Sequence, residues 1–91
     1  MGYRLIPTAT FERSLARLDT PVTRRITAKL TELEETTRGI LPLSFRPKGL
    51  GNLCKFKVGE WRVFLWLDEV RKEITLYAVW HRKEAYKNLL R

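Results

Sequence analysis

The residues best placed to do chemistry in this chain are cations on one strongly patterned stretch. Residues 53–67 read Leu-Cys-Lys-Phe-Lys-Val-Gly-Glu-Trp-Arg-Val-Phe-Leu-Trp-Leu, with Lys55, Lys57 and Arg62 set around Gly59-Glu60. Ammonium and guanidinium groups gathered on one surface, with no acid among them, bind anions. Phe64 and Trp66 interleave with them and offer faces on which bases stack, so an extended polyanion carrying bases suits the surface best. The plain alternative is a solvated sheet face whose lysines discourage edge-to-edge pairing.

A β-hairpin must position these groups. Gly-X is the two-residue loop of a type II′ turn, and runs rich in β-branched and aromatic residues flank Gly59-Glu60. Counting outward, Val58 faces Trp61, Lys57 faces Arg62, Phe56 faces Val63, Lys55 faces Phe64, Cys54 faces Leu65 and Leu53 faces Trp66. Side chains alternate along a strand. One face therefore carries Cys54, Phe56, Val58, Trp61, Val63, Leu65 and Leu67, and reads as core. The other carries Leu53, Lys55, Lys57, Arg62, Phe64 and Trp66, and reads as a basic face interleaved with aromatics. Lys57 opposite Arg62 has a cost. At roughly 5 Å the repulsion is about 1 kcal/mol in water and about 3 kcal/mol at an effective dielectric near 20.

Composition narrows the classes. The chain has 91 residues, 44% of them hydrophobic and 31% charged, enough for one domain (1–91) with a real core. A net charge of +8 suggests a polyanionic partner, whether nucleic acid or an acidic protein. A membrane ranks lowest, because no long amphipathic basic helix appears. No apolar run reaches about 18 residues and no signal-peptide pattern precedes the fold, so a soluble cytoplasmic protein is expected. The single cysteine, Cys54, cannot form an internal disulfide and reads as a small buried hydrophobe. One His and one Cys cannot make a zinc site, and no metal or cofactor is expected.

Around the hairpin, Tyr3–Ile6 reads as a short strand closed by Pro7. Thr8 or Thr10 caps a helix whose stripe is Phe11, Leu15 and Leu18. Thr20 as N-cap with Pro21 at the first helical position starts a second helix, running to about Arg38 with Gly39 as its C′ residue. Its buried stripe is Val22, Ile26, Leu30 and Leu33. Residues 40–52 read as an irregular loop carrying Arg46 and Lys48. Asp68–Lys72 is a polar turn and Glu73–Trp80 a third meander strand. Arg82–Leu90 is a short helix with Ala85 and Leu89 inward, and the position of Tyr86 is left open. The predicted class is α+β in the order β-α-α-β-β-β-α, a helical hairpin packed on a mostly antiparallel four-stranded sheet.

This order, with Leu-Gly-Asn-Leu-Cys-Lys-Phe-Lys-Val-Gly-Glu-Trp-Arg-Val-Phe at 50–64 and Val-Trp-His-Arg-Lys-Glu-Ala-Tyr at 79–86, resembles the RelE/ParE toxin superfamily of type II toxin–antitoxin systems. The resemblance covers almost the whole chain. Its most specific parts are the Lys-x-Lys-x-Gly-x-(aromatic)-Arg hairpin and the His-Arg-x-x-x-Tyr segment opening the last helix. The RelE branch cleaves messenger RNA in the ribosomal A site, whereas the ParE branch inhibits DNA gyrase. Lys55, Lys57, Arg62, Arg82 and Tyr86 match the RelE-type catalytic set, which favours that branch.

The resemblance implies an endoribonuclease that drives a 2′-OH onto the adjacent phosphate. Lys55 or Lys57 would take the 2′-OH proton, and neighbouring cations favour the neutral amine this needs. Arg62 would hold the phosphate and stabilise its developing charge. Arg82 would neutralise the leaving oxygen electrostatically, and Tyr86 would stack or donate a hydrogen bond. Arg46, Lys48, His81 and Lys83 are expected to border the RNA. The implied partners are messenger RNA on the ribosome and a cognate acidic antitoxin in a hetero-oligomeric complex. The alternatives are a ParE-like gyrase inhibitor or a member that only binds antitoxin and nucleic acid.

Overall fold

In chain order, the computed structural model, which describes residues 2–90, runs β1 (Arg4–Pro7), α1 (Ala9–Ala16), α2 (Thr20–Glu32), β2 (Ile40–Pro42), β3 (Cys54–Val58), β4 (Trp61–Asp68), β5 (Glu73–His81) and α3 (Arg82–Leu89). The strands form one five-stranded sheet in the order β1-β5-β4-β3-β2. Only the β1–β5 pair is parallel. The class is the α+β expected, with one strand more. Residues 40–42, read as loop, pair with β3 so that Ile40 faces Phe56 and Pro42 faces Cys54. A three-residue edge strand ending in Pro leaves no period to read, and the edge is where Pro is tolerated.

The central hairpin has the register expected from its turn, from Val58↔Trp61 to Cys54↔Leu65. Gly59 has φ +60° while Glu60 stays out of the left-handed region, as a type II′ turn requires. Phe56, Val58, Val63 and Leu65 are buried on the first face, together with Phe11 of α1 and Ile26, Leu30 and Leu33 from α2 and its C-cap. Each such side chain contributes about 1.5–3 kcal/mol through burial.

Helix α1 starts where Thr8 Oγ1 accepts from the Phe11 amide. Its Ser14, buried amid the apolar stripe, donates to the Phe11 carbonyl and accepts from the Val79 amide. The helix thus takes over an edge of β5 that β1, stopping at Pro7, does not reach. Helix α2 begins one residue earlier than expected, with Asp19 as N-cap. It ends at Glu32, not near Arg38. Acids there, Glu32, Glu34 and Glu35, oppose the helix dipole, and the Glu34 carbonyl is taken by the Tyr3 amide at 2.8 Å. Gly39, at φ +98°, serves the turn into β2 and caps no helix.

The second face departs from the open basic surface expected. Leu53 and Phe64 are buried with Ala85 and Leu89 of α3, while Phe45, Leu50, Trp66 and Trp80 pack around them. Phe64 is fully buried and offers no stacking surface. The loop after β2 helps to close this cluster, and Trp66 Nε1 donates to the Gly51 carbonyl at 3.0 Å. Register also shifts on β5: Phe64 faces Ala78 but Leu65 faces Leu76. Tyr77 is therefore the extra residue of a bulge, and its ring lies 5.3 Å from Trp66 and 6.1 Å from Trp80.

Candidate functional site

Around this second cluster runs a rim of cations, built by the hairpin tip, the start of α3 and the loop before β3. On β3, Lys55 is half-buried and Lys57 exposed. Lys55 Nζ donates to the Tyr86 hydroxyl at 3.4 Å, joining the strand to α3. Tyr86 is 39% exposed, with the Phe45 ring 5.5 Å from its own. It stands at the rim, where the sequence left open an inward position. Ala85 and Leu89, one turn apart, anchor α3 beneath it.

Arg62 faces Lys57 in the ladder. Its guanidinium curls to the turn, where Nη1 donates to the carbonyls of Gly59 at 2.8 Å and Trp61 at 3.0 Å. That contact turns it away from Lys57 and limits the repulsion. Nη1 is then spent, and Nε and Nη2 remain as the forked pair that matches two oxygens of a phosphate. No acid pairs with Arg62 among the described residues. Asp68, an acid on the same strand, instead accepts from the Val70 and Arg71 amides in its own turn.

Glu60 joins the tip to α3, a part not foreseen from sequence. Its carbonyl accepts from the Arg82 amide at 2.8 Å. Its carboxylate lies 3.0 Å from His81 Nε2 and 4.0 Å from Arg82 Nε. The exposed Arg82 contact is loose and worth little in stability, so its guanidinium is free to turn toward a ligand. His81 is the N-cap of α3: Nδ1 accepts from the Lys83 amide, which leaves Nε2 to donate to Glu60. The imidazole also meets Trp61 edge-on at 5.2 Å. Both ring nitrogens are engaged, so His81 acts as a joint. The available signal was that Glu60 is the sole acid in residues 53–67.

Lys55 and Tyr86 are brought together directly, Arg62 and Arg82 each contact the Gly59-Glu60 turn, and Lys57 has no side-chain partner among the described residues. Arg46, Lys48 and Lys83 are exposed, and among the described residues none of them pairs with a carboxylate. No cluster of metal-ligating side chains occurs among the described residues, and no helix there is long and apolar enough to cross a membrane.

The three-helix, five-stranded fold is similar to that of solved toxins. A RelBE toxin–antitoxin complex from Mycobacterium tuberculosis is similar at TM-score 0.77 and 21% identity, covering 90% of this chain and 100% of that one. An archaeal RelE–RelB complex from Pyrococcus horikoshii gives 0.68 and 22%, covering 90% and 97%. A mutant E. coli RelE in the free state gives 0.69 and 19%, covering 96% and 90%. Identity this low shows the RelE fold alone. The model of the ParE toxin of type II toxin–antitoxin systems, parDE, matches residues 5–86, and the chain belongs to that family. Among curated proteins no relative matches.

Proposed function

We propose that this toxin is a RelE-like endoribonuclease that stops translation by cutting messenger RNA on the ribosome. The observation that supports it most is the meeting of Lys55 and Tyr86 at 3.4 Å, across elements far apart in sequence, on the sheet face that also carries Arg62. A gyrase-directed toxin has no need of that set.

The chemistry follows from the groups. Arg62 holds the scissile phosphate through Nε and Nη2 and stabilises the charge that grows on its oxygens. Lys55 or Lys57, as the neutral amine, takes the 2′-OH proton while the 2′-oxygen attacks phosphorus. The P–O5′ bond breaks, Arg82 neutralises the departing 5′-oxygen electrostatically, and water protonates it while the lysine returns its proton to solvent. The products are a 2′,3′-cyclic phosphate and a 5′-hydroxyl. Tyr86, anchored through α3, orients the Lys55 amine and presents its ring to a base. His81 and Glu60 hold Arg82 and α3 in place, while Arg46, Lys48 and Lys83 border the RNA.

Purified toxin added to ribosomes stalled on a defined message should yield cuts bearing those two ends. The ParE name of the matching family carries the second reading, inhibition of gyrase. Intact messages with failing supercoiling after induction would select it. The solved RelB–RelE complexes support a cognate antitoxin for this chain as well. Opposite a net charge of +8 that partner is acidic, so its association should slow as salt rises. A rate flat with ionic strength would rule out electrostatic steering.

A further inference from the structure

The outer edge of β5 carries a second feature, which shares only His81 and Lys83 with the catalytic proposal. Strand β1 ends at Pro7, whereas β5 continues to His81. Helix α1 covers part of the uncovered length through Thr8, which donates to the Leu76 carbonyl, and Ser14, which accepts from Val79. The helix ends at Ala16, and beyond it the edge opens. Two cavities of about 420 and 490 Å³ lie there and share Ser14, Arg17 and Trp80, so they form one trough between α1 and α3. Arg13 lines one end, and His81 and Lys83 line the other.

The trough is cationic and has an aromatic wall. Among the described residues Arg13 donates only to Thr10 Oγ1, at 3.3 Å. Among the described residues none of Arg13, Arg17 and Lys83 lies within ion-pair distance of a carboxylate. Glu84 is the one acid in the lining. Trp80, half-buried, is held by Phe64 at 5.8 Å and edge-on by Tyr77, so it is fixed in place as the trough wall. Unpaired cations beside a rigid aromatic are the parts of a single-strand nucleic-acid site. Lys83 follows Arg82 in the first turn of α3, so the trough continues the cationic rim around that helix start.

We propose that this trough is a second RNA-binding site, holding the single strand that leaves the hairpin rim, with phosphates on Arg13, Arg17 and Lys83 and a base against Trp80. It rests on the reading of the rim as an RNA site. An acidic peptide would use the cations but has no need of the aromatic wall.

The test measures binding of a labelled RNA of about twelve nucleotides, within the usual single-strand site range, carrying 2′-O-methyl groups that block cleavage. Arg13→Gln/Arg17→Gln should weaken it about tenfold and lower the slope of log affinity against log salt by about 1.4, about 0.7 for each phosphate no longer neutralised. A trinucleotide, which spans the rim alone, should bind both proteins equally. A 4-thiouridine in the longer RNA should crosslink to the peptide holding Trp80. Unchanged affinity and slope in the double variant, with Lys57→Gln still weakening binding, would overturn the trough and leave the rim standing. Loss in the double variant with none in Lys57→Gln would instead overturn the rim. Equal loss of polyglutamate and RNA, with no Trp80 crosslink, would make the trough a site for acidic protein and overturn the proposal.

Discussion

The β3–β4 hairpin lies under α1 and α2 on one face and under α3 on the other, and the two covers differ in reach. Helix α2 has thirteen residues, about 20 Å of length, and with α1 it seals Val58, Val63 and Leu65 from water. Helix α3 has eight residues, about 12 Å, and seals only Phe64 and Leu53. Around that small patch Lys55, Lys57 and Arg62 remain outside. A short helix on a basic face yields a rim of charge with a dry centre, whereas a long one yields an ordinary core. The proposed site is a consequence of incomplete cover.

Phe64 breaks the simple contrast between a dry face and a wet one. It stands between Arg62 and Trp66 on the basic side, yet it is fully buried. Phe64→Ala should destabilise the protein by about 3–5 kcal/mol, the usual cost of emptying an aromatic site. Denaturant unfolding measures this, and a loss under about 1 kcal/mol would mean that α3 does not seal the second cluster.

Ser14→Ala tests the edge of the first face. It leaves the Val79 amide without its acceptor in a buried place, so about 1–3 kcal/mol should be lost. Hydrogen exchange at Val79 should rise more than at Val63. Equal protection in variant and parent would show that another group satisfies that amide.

The hairpin register was legible because period-2 alternation and a Gly-X turn constrain each other, and Val58 through Leu65 fell on the faces expected. Ala85 and Leu89 likewise revealed the inner side of α3. The cover over Phe64 was only partly legible, since Phe45 and Leu50, which pack against the cluster beside Ala85 and Leu89, come from a loop without period. Tyr77 was hidden by its bulge, which breaks the alternation that strand reading uses. Ser14 had a faint signal, a small polar residue inside the Phe11–Leu15–Leu18 stripe. Lys55, Lys57, Arg62, Arg82 and Tyr86 were chosen by type and resemblance. The link of Arg82 to the hairpin tip through Glu60 and His81 depends on where β5 hands over to α3 against the turn, which no local pattern encodes.

Cys54 gives the smallest effect and sharpens the contrast on β3 itself. It is half-buried on the core face, and burial pushes its thiol pKa up. Less thiolate at neutral pH means slow alkylation that quickens as pH rises. Cys54→Ala should cost about 1 kcal/mol of stability and leave cleavage intact. Rapid alkylation at neutral pH would place the thiol on the exposed side instead.

Arg62 decides the central claim. In Arg62→Ala the Gly59 and Trp61 carbonyls lose a partner at the surface, where water replaces it, and repulsion with Lys57 disappears. Stability should hold within about 1 kcal/mol. Cleavage of a ribosome-bound message should fall by about 10²–10³, as when a group that stabilises transition-state charge is removed. The measurement is that cleavage rate, taken beside a thermal melt of the same variant. A folded Arg62→Ala protein that cuts at the parent rate would contradict the assignment of this rim to RNA cleavage.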